Sequence, residues 1–248
     1  MAHFGRSLIP LRQVGAACLL AWLSGSAGAA ATAPGPAEPE VKVHFTVFSA
    51  VPITGLGFQA KPDAPPTPVA FYPTARSPRY EYVGANPLRF QAIPAAADGA
   101  TVEPKAMAEV TFAPTMREAF LLFEPMLPAT RNGVRYRVYV LDDSAVRQGP
   151  GTLTFVNLSG LPLSGSAGRS FVNLRETLVA TFPVGHSAPV ALKVPYGGRN
   201  YQAYGETIDL EPGERALLLL FPPFRAGSLE VQSRLLIDKP AETESAKR

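Results

Sequence analysis

Two stretches decide the fold: Phe112-Ala-Pro-Thr-Met-Arg-Glu-Ala-Phe-Leu-Leu-Phe-Glu-Pro125 and Leu210-Glu-Pro-Gly-Glu-Arg-Ala-Leu-Leu-Leu-Leu-Phe-Pro-Pro223. Each passes from an apolar residue through a proline-containing turn to an arginine, and then into an apolar run that proline closes. Ala119 to Phe123 and Ala216 to Phe221 are of strand length and apolar throughout, which suits central strands. The likeness extends outward in both directions. Upstream, Phe45-Thr-Val-Phe-Ser-Ala-Val-Pro-Ile-Thr-Gly55 matches Phe155-Val-Asn-Leu-Ser-Gly-Leu-Pro-Leu-Ser-Gly165; downstream, Val140-Leu-Asp142 matches Leu236-Ile-Asp238. The offsets are 110, 98 and 96, so the first copy carries 12 extra residues, in Lys61–Pro68 or in Pro94–Pro104. Three blocks in one order predict an internal duplication.

The rest of the chain reads as strand. In Val41-Lys-Val-His-Phe-Thr-Val-Phe48, Val41, Val43, Phe45 and Val47 share one face, with Lys42, His44 and Thr46 on the other. Val134 to Val140 alternates likewise, with Val134, Tyr136, Val138 and Val140 inward and Arg135, Arg137 and Tyr139 outward. Asn132-Gly133 and Gly197-Gly198 are hairpin-turn pairs, because both central residues of a type I′ turn need positive φ. Glu211-Pro-Gly-Glu214 has the Pro and Gly placement of a type II turn. The pattern predicts an all-β chain of two tandem immunoglobulin-like antiparallel β-sandwich domains. Their bounds are 41–143 and 152–238, with a linker at 32–40, a connector at 144–151 and a disordered tail at 239–248.

The N-terminus reads as an export signal over residues 1–31. Arg6 and Arg12 precede an apolar core from Val14 to Leu23, and small residues from Ser24 to Ala31 follow. The apolar run is about half of the roughly 20 residues that span a bilayer. The chain is therefore expected to be periplasmic or extracellular, with no integral membrane segment after cleavage. Cys18, the one cysteine, lies within that signal, so the exported chain relies on core burial without disulfides. Removing Arg6 and Arg12 leaves 21 basic against 20 acidic residues, a balance that does not favour nucleic acid.

The sequence carries no pattern for catalysis, for a cofactor or for a metal. Beyond the signal its histidines are His44, on the polar face of the first strand, and His186, in a loop after Val184-Gly185. Neither accompanies a nucleophile motif. Asp142-Asp143-Ser144 has oxygen ligands in series, but a pair of aspartates at a strand end more commonly forms a turn. Gly197-Gly198 lacks the Lys-Ser/Thr of a phosphate-binding loop. An enzyme is not expected.

Two aromatic segments are candidate surfaces for a partner or a glycan. Arg76-Ser-Pro-Arg-Tyr-Glu-Tyr82 sets Tyr80 and Tyr82 on one strand face beside Arg76 and Arg79. Tyr196-Gly-Gly-Arg-Asn-Tyr-Gln-Ala-Tyr204 gathers Tyr196, Arg199, Tyr201 and Tyr204 around a hairpin. Tyr and Arg combine large contact area with directed hydrogen bonds. The alternative for these tyrosines is structural: core packing for Tyr80 and Tyr82, and cross-strand pairing for the others.

Gly151-Thr-Leu-Thr-Phe-Val-Asn-Leu-Ser-Gly-Leu-Pro-Leu163, followed by Ile208-Asp-Leu-Glu-Pro-Gly-Glu-Arg-Ala-Leu-Leu218, resembles the C-terminal domain of the periplasmic alginate-biosynthesis F-type proteins. The resemblance covers about 25 of the 248 residues. It implies an exported tandem β-sandwich that serves as an adaptor in polysaccharide acetylation, without catalysis of its own. The expected function is a protein-binding adaptor in the cell envelope, with an envelope protein as partner. The alternative is a carbohydrate-binding module that uses exposed tyrosines to hold polysaccharide.

Overall fold

The structure, a computed structural model, describes residues 39–240 except 60, 62–63, 94–105, 131–132 and 176–177. The signal at 1–31, most of the linker, the loop Pro94–Pro104, Asn132 and the last eight residues of the tail lie outside the described residues.

Sixteen strands and no helix occur among the described residues. The first half contains β1 (Glu40–Ser49), β2 (Leu56–Phe58), β3 (Thr67–Pro68), β4 (Tyr80–Ala85), β5 (Leu88–Ala92), β6 (Ala106–Val110), β7 (Glu118–Pro125) and β8 (Tyr136–Asp142). The second contains β9 (Thr152–Asn157), β10 (Leu163–Ala167), β11 (Ser170–Leu174), β12 (Val179–Pro183), β13 (Ser187–Tyr196), β14 (Arg199–Asp209), β15 (Arg215–Phe221) and β16 (Gln232–Asp238). They form four sheets of four strands, in the orders β4-β1-β7-β8, β3-β2-β5-β6, β12-β9-β15-β16 and β11-β10-β13-β14. Adding eight to every strand of the first half reproduces the second half. The chain is two tandem β-sandwiches with a duplicated topology.

One feature departs from a purely antiparallel ladder. β1 pairs parallel with β7, and β9 pairs parallel with β15. Parallel pairs sit where both faces are covered, and both faces of these strands are. Ala119, Leu121 and Phe123 of β7 enter the core of the first sandwich, with Phe45, Phe58 and Phe90. Ala216, Leu218 and Leu220 of β15 enter the core of the second, with Leu153, Phe155 and Leu192. The alternate residues Phe120, Leu122, Leu217 and Leu219 meet in a third core, with Phe48, Leu141, Val156 and Leu236. The two inner sheets therefore pack face to face. This seam is why both runs are apolar throughout. It also draws in Tyr139, which points out of its own sandwich as expected but packs against the seam.

The matched segments slip by one residue. Phe112 and Leu210 occupy equivalent core positions, but Ala119 corresponds to Ala216 in facing, so the turn between is one residue shorter in the second half. A one-residue slip reverses the faces of a strand. The arginines aligned in sequence thus part company: Arg117 donates to the Pro114 and Met116 carbonyls at the surface, whereas Arg215 is buried. The structural counterpart of Arg215 is Glu118. That of Asp238 is Asp143, whose N–H donates to the Glu118 carbonyl at 3.1 Å, as Asp238 pairs with Arg215.

Turn chemistry follows the residues. Gly197 and Gly198 have φ of 55° and 74° and close the β13–β14 hairpin in two residues. Gly213 has φ of 84°, and Glu214 N–H donates to the Glu211 carbonyl at 3.0 Å, as a type II turn requires. The outer-sheet edges are covered in the same way in both halves: Arg135 N–H donates to the Met107 carbonyl, and Val231 N–H to the Ala203 carbonyl. A segment preceding β8 or β16 thereby caps β6 or β14, which shields part of an exposed edge.

Candidate functional site

Two sets of residues stand out, one at each end of the inner sheets. The first is a cluster of charges at the seam. Arg215 Nε and Nη2 donate to Asp238 Oδ1 and Oδ2 at 3.1 and 3.0 Å, and Nη2 also reaches Asp143 Oδ2 at 3.0 Å. Its Nη1 donates to the carbonyls of Asp143 and Gln148 at 2.9 and 3.0 Å. Arg76 Nη1 holds both oxygens of Asp143 at 2.8 and 2.9 Å, with its guanidinium carbon 4.8 Å from the Phe120 ring centroid. Arg76 Nε and Nη2 have no hydrogen-bond partner, although Nη2 stands 3.5 Å from Asp238 Oδ1. Burial works against the charge on Arg215. The hydrogen bonds and charges of Asp238 and Asp143 outweigh it, so the pKa of the guanidinium lies above its ordinary value.

This cluster joins the halves, since Arg76 and Asp143 come from the first and Arg215 and Asp238 from the second. Asp142 forms the turn expected of it, its Oδ1 accepting the Ser144 N–H at 3.0 Å. The four charges pair with one another and Arg215 also with backbone, only Arg76 Nε and Nη2 lacking a hydrogen-bond partner, which makes this a structural lock.

The second set lies at the opposite end. β7 and β15 both start at the charge cluster, and side chains along both strands share the seam, so both run away from the cluster to a common distal end. The β7–β8 loop exposes Leu127 and the β15–β16 loop exposes Phe224, at 93% and 85% of their full surface. Leu127 stands four residues beyond Phe123, and Phe224 four beyond Leu220, its counterpart in facing. The tip of the β13–β14 hairpin comes to the same end. Val231, which closes the Phe224 loop, bonds to Ala203, two residues from Tyr201. At that tip Tyr196 and Tyr201 are 66% and 41% exposed, with ring centroids 6.5 Å apart at 65°. Arg199, across the turn from Tyr196, is exposed, as is Arg225, which follows Phe224.

Of the residues singled out in sequence, Tyr196, Arg199 and Tyr201 come together on this surface. Tyr204 does not: it is buried, its hydroxyl donating to Glu206 at 3.0 Å, and burial followed by that hydrogen bond pushes its pKa up. Tyr82 is in the first core, its hydroxyl donating to the Ala85 carbonyl at 2.7 Å. Tyr80 packs on the same core and accepts the Ala70 N–H at 2.8 Å. Arg76 is committed to the lock, and Arg79, half exposed, pairs with Glu118. The Arg76–Tyr82 segment is therefore structural, apart from Arg79. Leu127 and Phe224 were missed in sequence. Their signal was an apolar residue between or after prolines in a loop, where nothing can bury it.

His44 lies between Glu81 and Glu118, at 4.0 and 3.7 Å, and His186 is 3.4 Å from the Leu210 carbonyl. The two belong to different sandwiches. Among the described residues no group of three or more His, Cys, Asp or Glu stands close enough to hold a metal. No protein-family model matches the chain, and no characterised protein matches it at a significant level.

Proposed function

We propose that the protein is a non-enzymatic, exported adaptor that binds a protein partner through its distal end. The observation that carries this reading is the β13–β14 hairpin, which holds Tyr196, Arg199 and Tyr201 exposed on a two-residue turn. Two long strands anchored in the second core fix the tip, so little conformational entropy is lost when it is covered. Tyr and Arg are the residue types that most often dominate the energy of protein interfaces. The inclined tyrosine rings support this over glycan binding, because they offer no common plane to a run of sugar rings. The buried charges support the absence of catalysis, each being engaged in joining the sandwiches. A role beside exopolysaccharide modification accords with the resemblance of the second half, and with an extracytoplasmic location.

A photo-crosslinking amino acid at position 196, expressed in the native cell, tests the proposal. The expected result is a protein adduct of defined mass that Arg199→Glu/Tyr201→Ala abolishes. The absence of any protein adduct, together with retardation of the purified chain in polysaccharide gels that Tyr196→Ala/Tyr201→Ala relieves, would overturn it in favour of glycan binding.

A further inference from the structure

We infer that the distal end also seats the molecule on a lipid bilayer, with Leu127 and Phe224 as its two insertion points. Both side chains project from the distal loops with almost none of their surface covered, Leu127 directly after the Met126–Arg135 backbone pair and Phe224 next to the Arg225–Ser228 turn. Isolated exposed apolar residues are common on protein surfaces. Two in corresponding places of a duplicated fold, directed to the same end, are a different matter. Both halves of this chain produce the feature, from unlike local sequences, Met-Leu-Pro at 126–128 and Pro-Phe-Arg at 223–225.

The geometry selects the kind of partner. Points that project singly from separate loops suit a fluid apolar layer, which accepts them at any lateral spacing. A protein would need two pockets matched to that spacing. The surrounding residues are those found where hydrocarbon meets headgroups. Tyr196 and Tyr201 stand at the same end, and tyrosine concentrates at that depth because its ring is apolar and its hydroxyl is wet. Arg225 follows Phe224 directly, and Arg199 and Lys193 are exposed on the neighbouring hairpin, placed to meet anionic phosphates. Glu230 is the opposing charge in the same loop, so the attraction to anionic lipid is modest. The seat is peripheral: no helix among the described residues is long and apolar enough to cross a membrane. The inference goes beyond the adaptor reading: it sets the hairpin at headgroup level, where a partner carried by the same membrane can reach Tyr196, Arg199 and Tyr201 from the side.

Trp22 is the only tryptophan, so Phe224→Trp on a Trp22→Phe background gives one reporter at one tip of the full chain. A reporter is needed because the apolar segment Val14–Leu23, where retained, would itself tether the chain to vesicles. The chain is titrated with vesicles of equal parts phosphatidylethanolamine and phosphatidylglycerol. The expected result is a blue shift of emission, quenching by acyl-brominated lipid, and a loss of apparent affinity of about tenfold when Leu127→Glu is added. Both positions are exposed, so an unchanged thermal midpoint is expected to accompany these changes. Emission that ignores vesicles overturns the proposal, as does a shift that Leu127→Glu leaves intact. Emission that moves only with envelope protein assigns the tips to a protein and overturns the bilayer. The adduct at position 196 is read independently, so either proposal can fail without the other.

Discussion

At the scale of single residues, Arg215 is the most constrained side chain in the molecule. It makes five hydrogen bonds, two to Asp143 of the other half, one to Gln148 of the connector and two to Asp238 of its own half, and is 4% exposed. Removing one member of a buried pair strands the other charge, which is costlier than never having had the pair. Arg215→Ala is expected to cost about 3 kcal/mol or more in urea unfolding. Arg76→Met, which removes the less completely bonded arginine and leaves Asp143 held by Arg215, is expected to cost no more than about 2 kcal/mol. Equal losses would show that the lock is shared evenly. Tyr204 supplies a dependence on pH. Its folded pKa is raised, chiefly by burial and then by Glu206, so its contribution is fully present below the unfolded value of about 10 and is lost as pH rises beyond that. Tyr204→Phe is expected to lose stability less steeply than wild type in urea titrations above that pH. Parallel slopes would count against the assignment.

Among the elements, the strands were the most legible part of the sequence. The alternation of Val41, Val43, Phe45 and Val47 and the unbroken runs at 119–123 and 216–221 each found their place. What the runs could not tell was which neighbour covers the second face, because a strand buried by its own sandwich and by another reads the same. The one-residue slip between Arg117 and Arg215 was equally hidden, since two leucine-rich strings align in several registers. Tyr80 and Tyr82 were ambiguous for a related reason: a tyrosine can satisfy its hydroxyl internally, as both do here. Loop tips are the least legible, for exposure depends on everything that fails to approach. Gly165, by contrast, has a reason visible only in three dimensions. A Cβ there would press into the backbone carbonyl of Ala191 on the adjoining β13. Gly165→Ala is expected to destabilise the second sandwich by about 1–3 kcal/mol or more, with loss of amide protection along β10 and β13 in hydrogen exchange. Wild-type protection would contradict that account.

For the whole molecule, the seam predicts mechanical unity. Eight fully buried apolar side chains and four charges join the two sandwiches, so heat is expected to unfold them in one calorimetric transition. Leu219→Ala, which opens a cavity in the seam, is expected to cost about 2–5 kcal/mol and to draw that transition toward two. A wild type that already melts in two steps would mean that the sandwiches are only loosely joined. This unity bears on the proposed binding surface: the Leu127 loop belongs to one sandwich, and the Phe224 loop and tyrosine hairpin to the other, so only a rigid pairing keeps them at one end.

The inner sheets face each other with an approximate twofold relation. β8 and β12 line a common cleft, while the segment leading into β4 reaches the end of β16, so the lateral order is reversed and corresponding strands exchange places. That is the twofold arrangement of a symmetric dimer, here built within one chain whose halves are linked by the short stretch between Asp142 and Thr152. Within one chain the two halves need not be identical. Glu118 stands where its counterpart is Arg215, and β5 and β6, of five residues each, correspond to β13 and β14, of ten and eleven. A single polypeptide thus presents two different sides, which a pair of identical chains in the same arrangement could not.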